Sequence, residues 1–395
     1  MAPELAGLAE RFLGTALPVG LKAWDGSTAG GTDGPTVVLK SRRTLRHLLW
    51  SPGELGLARA YVTGDLEVEG DLAEGLSRFW KSGARPSVPL REWPDVLKAA
   101  VRLGVIGPRP RPPVSEARLT GRLHTMLRDR AAISHHYDLS NDFYQLLLDP
   151  SMAYSCAYWT PDTTTIAEAQ TAKLDLICQK LDLKPGMRLL DIGCGWGSLV
   201  IHAATHYGVR ATGITLSTQQ RDHILTRRAN LPVDVRLQDY RELTDPPYDA
   251  VASIEMGEHV GEDNYPTYAA TLHRMLKPQA KLLLQQMSRG FRAPGGGAFI
   301  EKYIAPDMTM RPLGATLNHL AAAGFEVRHV EAMREHYDRT CRAWGATLEE
   351  NWAAAVRLIG PEQARIWRLY MAGAALAFAE NRMGVDQIVS RKTTG

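Results

Sequence analysis

From residue 188 onward, short apolar runs alternate with stretches whose apolar residues recur every three or four positions. The runs Arg188–Ile192, Arg210–Thr215, Val233–Leu237, Ala250–Ile254, Lys281–Gln285 and Phe325–Val330 predict strands, and Trp196–His206 and Ser217–Ala229 predict helices between them. Near-continuous apolar strands joined by helical crossovers predict an α/β fold with a doubly wound parallel sheet covered on both faces. Beyond Tyr337 the periodicity is mostly helical, with Pro361 placed to start a helix. The first hundred residues read differently. Thr36–Lys40 predicts a strand, Leu45–Trp50 and Glu92–Leu103 predict helices, and the four glycines of Gly26–Pro35 predict a loop. Pro108, Pro110, Pro112 and Pro113 remove backbone donors and fix φ, so no regular element runs through them. The expected organisation is a small α+β domain over 1–107, a Pro/Arg-rich linker over 108–130 and a larger domain over 131–395.

Composition narrows the class without naming a function. Of 395 residues, 45% are hydrophobic and 23% charged, which excludes a disordered, collagen-like or disulfide-scaffold chain. No apolar stretch approaches the ~18–20 residues of a membrane span, and the longest candidate is Leu369–Ala379. The opening residues lack the apolar region of a secretory signal. Cys156, Cys178, Cys194 and Cys341 form no CxxC pair, so reduced thiols in a cytoplasm are expected and no metal site is. The net charge of +3 hides an asymmetry: residues 75–130 hold 12 Lys and Arg against 4 Asp and Glu. That block, which includes Arg78, Phe79, Trp80, Lys81, Arg85 and Trp93, suits an anionic surface; its bland reading is a solvated helical face.

Chemistry concentrates where the first strand of the larger domain ends. Leu189–Ile192 leads into Gly193-Cys194-Gly195-Trp196-Gly197 and then a helix. Such glycines allow a tight turn and let a ligand reach bare backbone at a helix N-terminus. A dinucleotide fold would show GxGxxG and an acid ending the second strand. Here the spacing is GxGxG, the second strand ends at Thr215, and the acid, Asp191, lies inside the motif. The arrangement is similar to class I S-adenosylmethionine methyltransferases, which implies a seven-stranded sheet with a helical cover.

Further motifs follow in order: His136–Tyr144, Met152–Tyr158, Gly213–Ser217 with Gln220, Glu255–Gly261, Phe299–Ile304 and His336-Tyr337. Together they resemble the cyclopropane-fatty-acyl-phospholipid synthase family, strongly over about residues 130–392 and more weakly over Ala60–Gly64 and Gly70–Leu72. The resemblance implies methyl transfer from S-adenosylmethionine to the cis double bond of an acyl chain. A carbocation follows, and a base removes a proton to leave a cyclopropane or a methyl or methylene branch. In the family that base is a bound bicarbonate, and the motif matches place its holders at Cys156, Glu258, Gln285 and Tyr337. Gln285 departs from the family, because the mycolic acid cyclopropane synthases carry His there; Gln can donate to an anion but carries no charge. Arg59 departs too, where many members carry Glu.

The resemblance also places cofactor contacts. Tyr137, Tyr154 and Ser155 match the methionine end, and Thr215 and Gln220 match ribose and adenine contacts. Asp239 and Tyr240 follow the third strand, where this fold meets adenine. Asp191, Gly193, Gly195 and Gly197 form the loop itself. Each has a bland alternative in ordinary packing or turn geometry. Glu255, three residues before Glu258, is the competing functional acid. The implied partners are an unsaturated lipid and the inner face of an anionic membrane rather than nucleic acid, with dimers through the small domain. The rival readings are a natural-product C-methyltransferase on a non-lipid alkene and a non-catalytic binding module.

Overall fold

The computed structural model describes residues 1–31, 33–82, 94, 98, 101–117, 121–126, 128–129, 140–290 and 297–393. The chain forms two compact units. The first comprises Met1–Glu116, Gly297–Tyr303 and Gly360–Leu376, and the second comprises Ala117–Gly296, Ile304–Ile359 and Ala377–Gly395.

In the first unit, α1 (Ala2–Leu13) is followed by β1 (Gly20–Lys22), β2 (Thr28–Ala29) and β3 (Thr36–Leu39). Then come α2 (Arg42–Trp50), α3 (Glu54–Val62), β4 (Leu66–Glu69) and α4 (Leu72–Lys81). The strands pair in the order β2-β1-β3-β4. Leu5, Ala6, Leu21, Leu39, Ala60, Tyr61 and Leu66 make its core. Arg59 is buried in this unit and clamps both oxygens of Glu116, at 2.5 and 2.9 Å, while Tyr303 Oη donates to the same carboxylate. A guanidinium at this depth needs a paired anion, and Glu116 provides it. Most of the helix expected over Glu92–Leu103 lies outside the described residues.

The second unit opens with α5 (Asn141–Leu147) and α6 (Ile166–Lys180). The alternation then runs β5 (Arg188–Ile192), α7 (Ser198–Tyr207), β6 (Arg210–Thr215), α8 (Thr218–Arg227), β7 (Val233–Leu237) and β8 (Tyr248–Ile254). It continues through α9 (Tyr265–Arg274), β9 (Leu276–Arg289), α10 (Leu313–Ala322), β10 (Phe325–Ala332) and α11 (Arg334–Glu350). The segment α12 (Trp352–Ala379) breaks at Gly360, whose φ of 77° and ψ of 162° are not helical, and Pro361 starts the second half as expected. All six strands expected from the apolar runs are present in a seven-stranded sheet of order β10-β11-β9-β8-β5-β6-β7. The seventh, β11 (Met383–Lys392), departs from the helical expectation for this region. It runs antiparallel to both β9 and β10. Its centre buries the polar residues Asp386, Gln387 and Ser390 beside Val385 and Ile388, which hides the alternation that marks a half-exposed strand. Val200, Ala203, Leu174 and Ile177 pack on one sheet face, and Tyr265, Tyr268, Leu272 and Leu320 on the other.

Candidate active site

A cavity opens in the second unit at the carboxyl ends of β5 to β8, where open α/β sheets take their ligands. Its wall includes Asp191, Gly193 and Gly195 after β5, Thr215 and Gln220 after β6, and Asp239 and Tyr240 after β7. Tyr154 and Ser155 close it from the segment before α6. These nine residues were expected from the sequence. Gly197 stands one step behind, because a Cβ there would meet the Ile224 side chain at 2.7 Å. At Gly195, with φ of 53°, a Cβ would meet nothing within 4 Å and would project into open space. Tyr137 lies outside the described residues.

The loop carries further signs of a cationic, polar ligand. Asp191 is buried, its Oδ1 has no hydrogen-bond partner, and desolvation pushes its pKa up to about 7. Lys173 of α6, 1% exposed, also lines the cavity and donates to Ser155 Oγ at 2.9 Å. Thr215 Oγ1 donates to Gln220 Oε1 at 2.6 Å and fixes that amide at the far end. Asp239 is turned toward Arg241, which donates to it from Nε at 2.8 Å and Nη2 at 2.7 Å, so its carboxylate is already engaged. A bare glycine edge, an orphaned carboxylate oxygen and polar ends suit S-adenosylmethionine.

The expected base site is assembled around a different acid. Cys156 N–H donates to Glu255 Oε1 at 2.8 Å, Gln285 Nε2 donates to the same oxygen at 2.7 Å, and Tyr337 Oη donates to Oε2 at 2.6 Å. Glu255 lines the cavity; Cys156, Gln285 and Tyr337 stand behind it and hold its carboxylate. Three elements set this up. Gln170 on α6 donates to the carbonyls of Ala153 and Ser155, fixing the peptide whose next N–H is that of Cys156. Gln387 on β11 donates to Gln285 Oε1 at 2.9 Å and accepts from Lys180, so the Gln285 amide presents its NH₂ to Glu255. Glu255 itself adopts φ of 52°, an uncommon conformation for a residue with a side chain. Burial raises its pKa, and the bonds from Tyr337, Cys156 and Gln285 oppose that rise. The Cys156 thiol is pushed well up by burial, so this residue acts through its backbone.

Glu258 sits apart from these donors. It is fully buried, it accepts the backbone N–H of Met287, and its Oε2 has no partner. Desolvation, with the nearby Glu255 charge, pushes its pKa up to about 8. A bicarbonate does not fit this arrangement: the three donors expected to hold it are taken by the Glu255 carboxylate, and a second anion would meet that charge. Motif position favours Glu258 over Glu255, whereas the three donors converge on Glu255. Lys173 reads in the sequence as one polar position on a helix.

A model of the mycolic acid cyclopropane synthetase family matches residues 124–388. A "probable fatty acid methyltransferase" of Mycobacterium tuberculosis is 38% identical, over 98% of this chain and 95% of its own length. The cyclopropane-fatty-acyl-phospholipid synthase of Escherichia coli is 34% identical, over 85% of this chain and 83% of its own length. Among solved structures, a mycolic acid cyclopropane synthase complexed with SAH and CTAB superposes with a TM-score of 0.63 at 34% identity, covering 67% of this chain and 98% of that one.

Proposed function

Because the chain belongs to the mycolic acid cyclopropane synthetase family and is a class I S-adenosylmethionine-dependent methyltransferase, we propose that it alkylates the cis double bond of an unsaturated lipid acyl chain, with Glu255 as the base. The observation that carries the reading is the convergence of Cys156 N–H, Gln285 and Tyr337 on a carboxylate in the cavity wall. The names of the two relatives, a fatty acid methyltransferase and a fatty-acyl-phospholipid synthase, support an acyl chain as substrate.

S-adenosylmethionine, when bound, supplies an electrophilic methyl group, and the alkene that takes it is left with a cationic carbon as the carbon–sulfur bond breaks. The Glu255 carboxylate, fixed by three donors before the charge develops, stabilises that cation without reorganising. It then accepts a proton. Loss from the transferred methyl group closes a cyclopropane; loss from a neighbouring carbon leaves an alkene and a branch. Burial raises the carboxylate's pKa and makes it a stronger base than one in water, and the bonds from Tyr337, Cys156 and Gln285 oppose that rise.

Encounter with the substrate falls to the first unit. It exposes Leu49, Trp50, Leu57 and Ile106, with Trp50 Nε1 bonded to the Gly107 carbonyl and the exposed Arg109 and Arg111 close by in sequence. Apolar and aromatic tips among basic residues suit docking at an anionic membrane surface. Arg78, from the basic block, is engaged by Glu74 and the Asp33 carbonyl. Arg85 and Trp93 lie outside the described residues.

Mass spectrometry of lipids from cells expressing the protein tests the reaction: each modified chain gains one CH₂. Glu255→Gln is expected to lower turnover on the order of 10²-fold or more while keeping cofactor affinity. Glu258→Gln is expected to stay within about tenfold of wild type, because Glu258 is not in the base cluster. Full activity in Glu255→Gln, or a larger loss in Glu258→Gln, would transfer the role to Glu258.

A further inference from the structure

Lys173 is a buried cation whose donors are mostly unmet. An ammonium has three N–H donors. Among the described residues its one hydrogen-bond partner is Ser155 Oγ, and no carboxylate lies within ion-pair distance of Nζ. At 1% exposure it has almost no bulk water to draw on. A charge held this way is costly unless an anion or a fixed dipole meets it; burial lowers the Lys173 pKa, and Glu255, Asp149 and Asp191 oppose that from beyond ion-pair distance. The side chain lines the cavity, so the open direction is toward bound ligand.

The cavity restricts what that ligand group is. Thr215, Gln220, Asp239 and Tyr240 line it beyond β6 and β7, where the doubly wound fold takes a nucleoside. Ser155, Lys173, Asp191 and Glu255 line it on the other side, around the β5 loop. S-adenosylmethionine carries two positive groups, the sulfonium and the amine, and a single negative one, the α-carboxylate. Asp191, with its unpartnered Oδ1, suits a positive group. Lys173 suits the negative one.

We propose that Lys173, oriented by Ser155 Oγ, anchors the α-carboxylate of the cofactor and so makes recognition depend on that group. The proposal rests on the methyltransferase reading and extends it to a cofactor contact and to discrimination between two cofactor-like ligands.

The test is calorimetry with two ligands, S-adenosylmethionine and decarboxylated S-adenosylmethionine, the latter lacking only the carboxylate. The wild-type protein is expected to bind the carboxylated form about 10- to 100-fold more tightly, the range of one charge-assisted hydrogen-bonded contact. Lys173→Met should bring the two affinities together, mostly by weakening the carboxylated ligand, and Lys173→Arg should keep a preference. A Lys173 that only offsets the neighbouring acids would instead give equal losses for both ligands in Lys173→Met, and that outcome overturns the proposal. Equal affinities in the wild-type protein overturn it without any variant. Failure of the wild-type protein to bind either ligand would overturn the methyltransferase reading itself.

Discussion

Glu255 and Glu258 are neighbours in one turn, and the fold gives them opposite surroundings. Glu255 accepts from three donors, whereas Glu258 has one backbone donor and an unpartnered oxygen. With its pKa raised from 4.5 to about 8, Glu258 keeps a proton in the folded chain that the unfolded chain releases. Stability therefore falls as pH rises from about 4.5 to 8, because the unfolded state binds fewer protons across that window. Glu258→Gln should remove this slope. Urea midpoints at pH 5 and pH 8.5 check it, and the variant should gain on wild type by at least about 1.4 kcal/mol between them, the worth of one pKa unit. Parallel slopes would refute the assignment. At this scale the place of Asp191, Gly193 and Gly195 in the cavity wall was legible, because glycines between a strand and a helix leave backbone open to a ligand. The choice between two acids was not. It depends on the left-handed φ of Glu255, which no motif displays. Lys173 was hidden for a similar reason: its burial and its bond to Ser155 Oγ arise from tertiary structure, which a polar position on a helix does not display.

At the scale of elements, the base site depends on β11. Gln387 lies opposite Gln285 in the β9–β11 register and holds its amide in the donating orientation. Without that contact the Gln285 amide is free to turn its oxygen toward the Glu255 carboxylate. Gln387→Leu is therefore expected to lower turnover about tenfold while leaving cofactor affinity within twofold. The acid limb of the pH–rate profile should also move upward, since a bond that lowers the Glu255 pKa is weakened. An unchanged acid limb would leave Gln387 a packing residue only. The parallel strands were legible because both of their faces are apolar. β11 escaped because the buried amide and carboxyl groups at its centre look like surface positions in a linear sequence.

Across the whole molecule, the change of unit between Glu116 and Ala117 falls inside the stretch read as a linker over 108–130. The assignment of Gly297–Tyr303 and Gly360–Leu376 to the first unit was not legible, because it comes from contacts distant in sequence, such as Arg365 with the Tyr61 carbonyl at 2.6 Å. The exposed Trp50, Arg109 and Arg111 give the docking reading a direct check by vesicle sedimentation. The triple Ala variant should lose on the order of tenfold in binding to anionic vesicles at low salt, with ~1 kcal/mol per basic residue and salt screening of the remainder. Its cofactor affinity should not change. Retention equal to wild type would remove this face from the membrane contact. One feature of the sheet also bears on how the chain is made. β10 ends at Ala332, and its one strand partner among the described residues begins at Met383. During synthesis, β9 and β10 must wait for a strand that emerges after two helices, each with an open edge of the kind that recruits other chains. The same late strand brings Gln387 to Gln285, so a nascent chain acquires its oriented base and joins the facing edges of β9 and β10 in a single docking event.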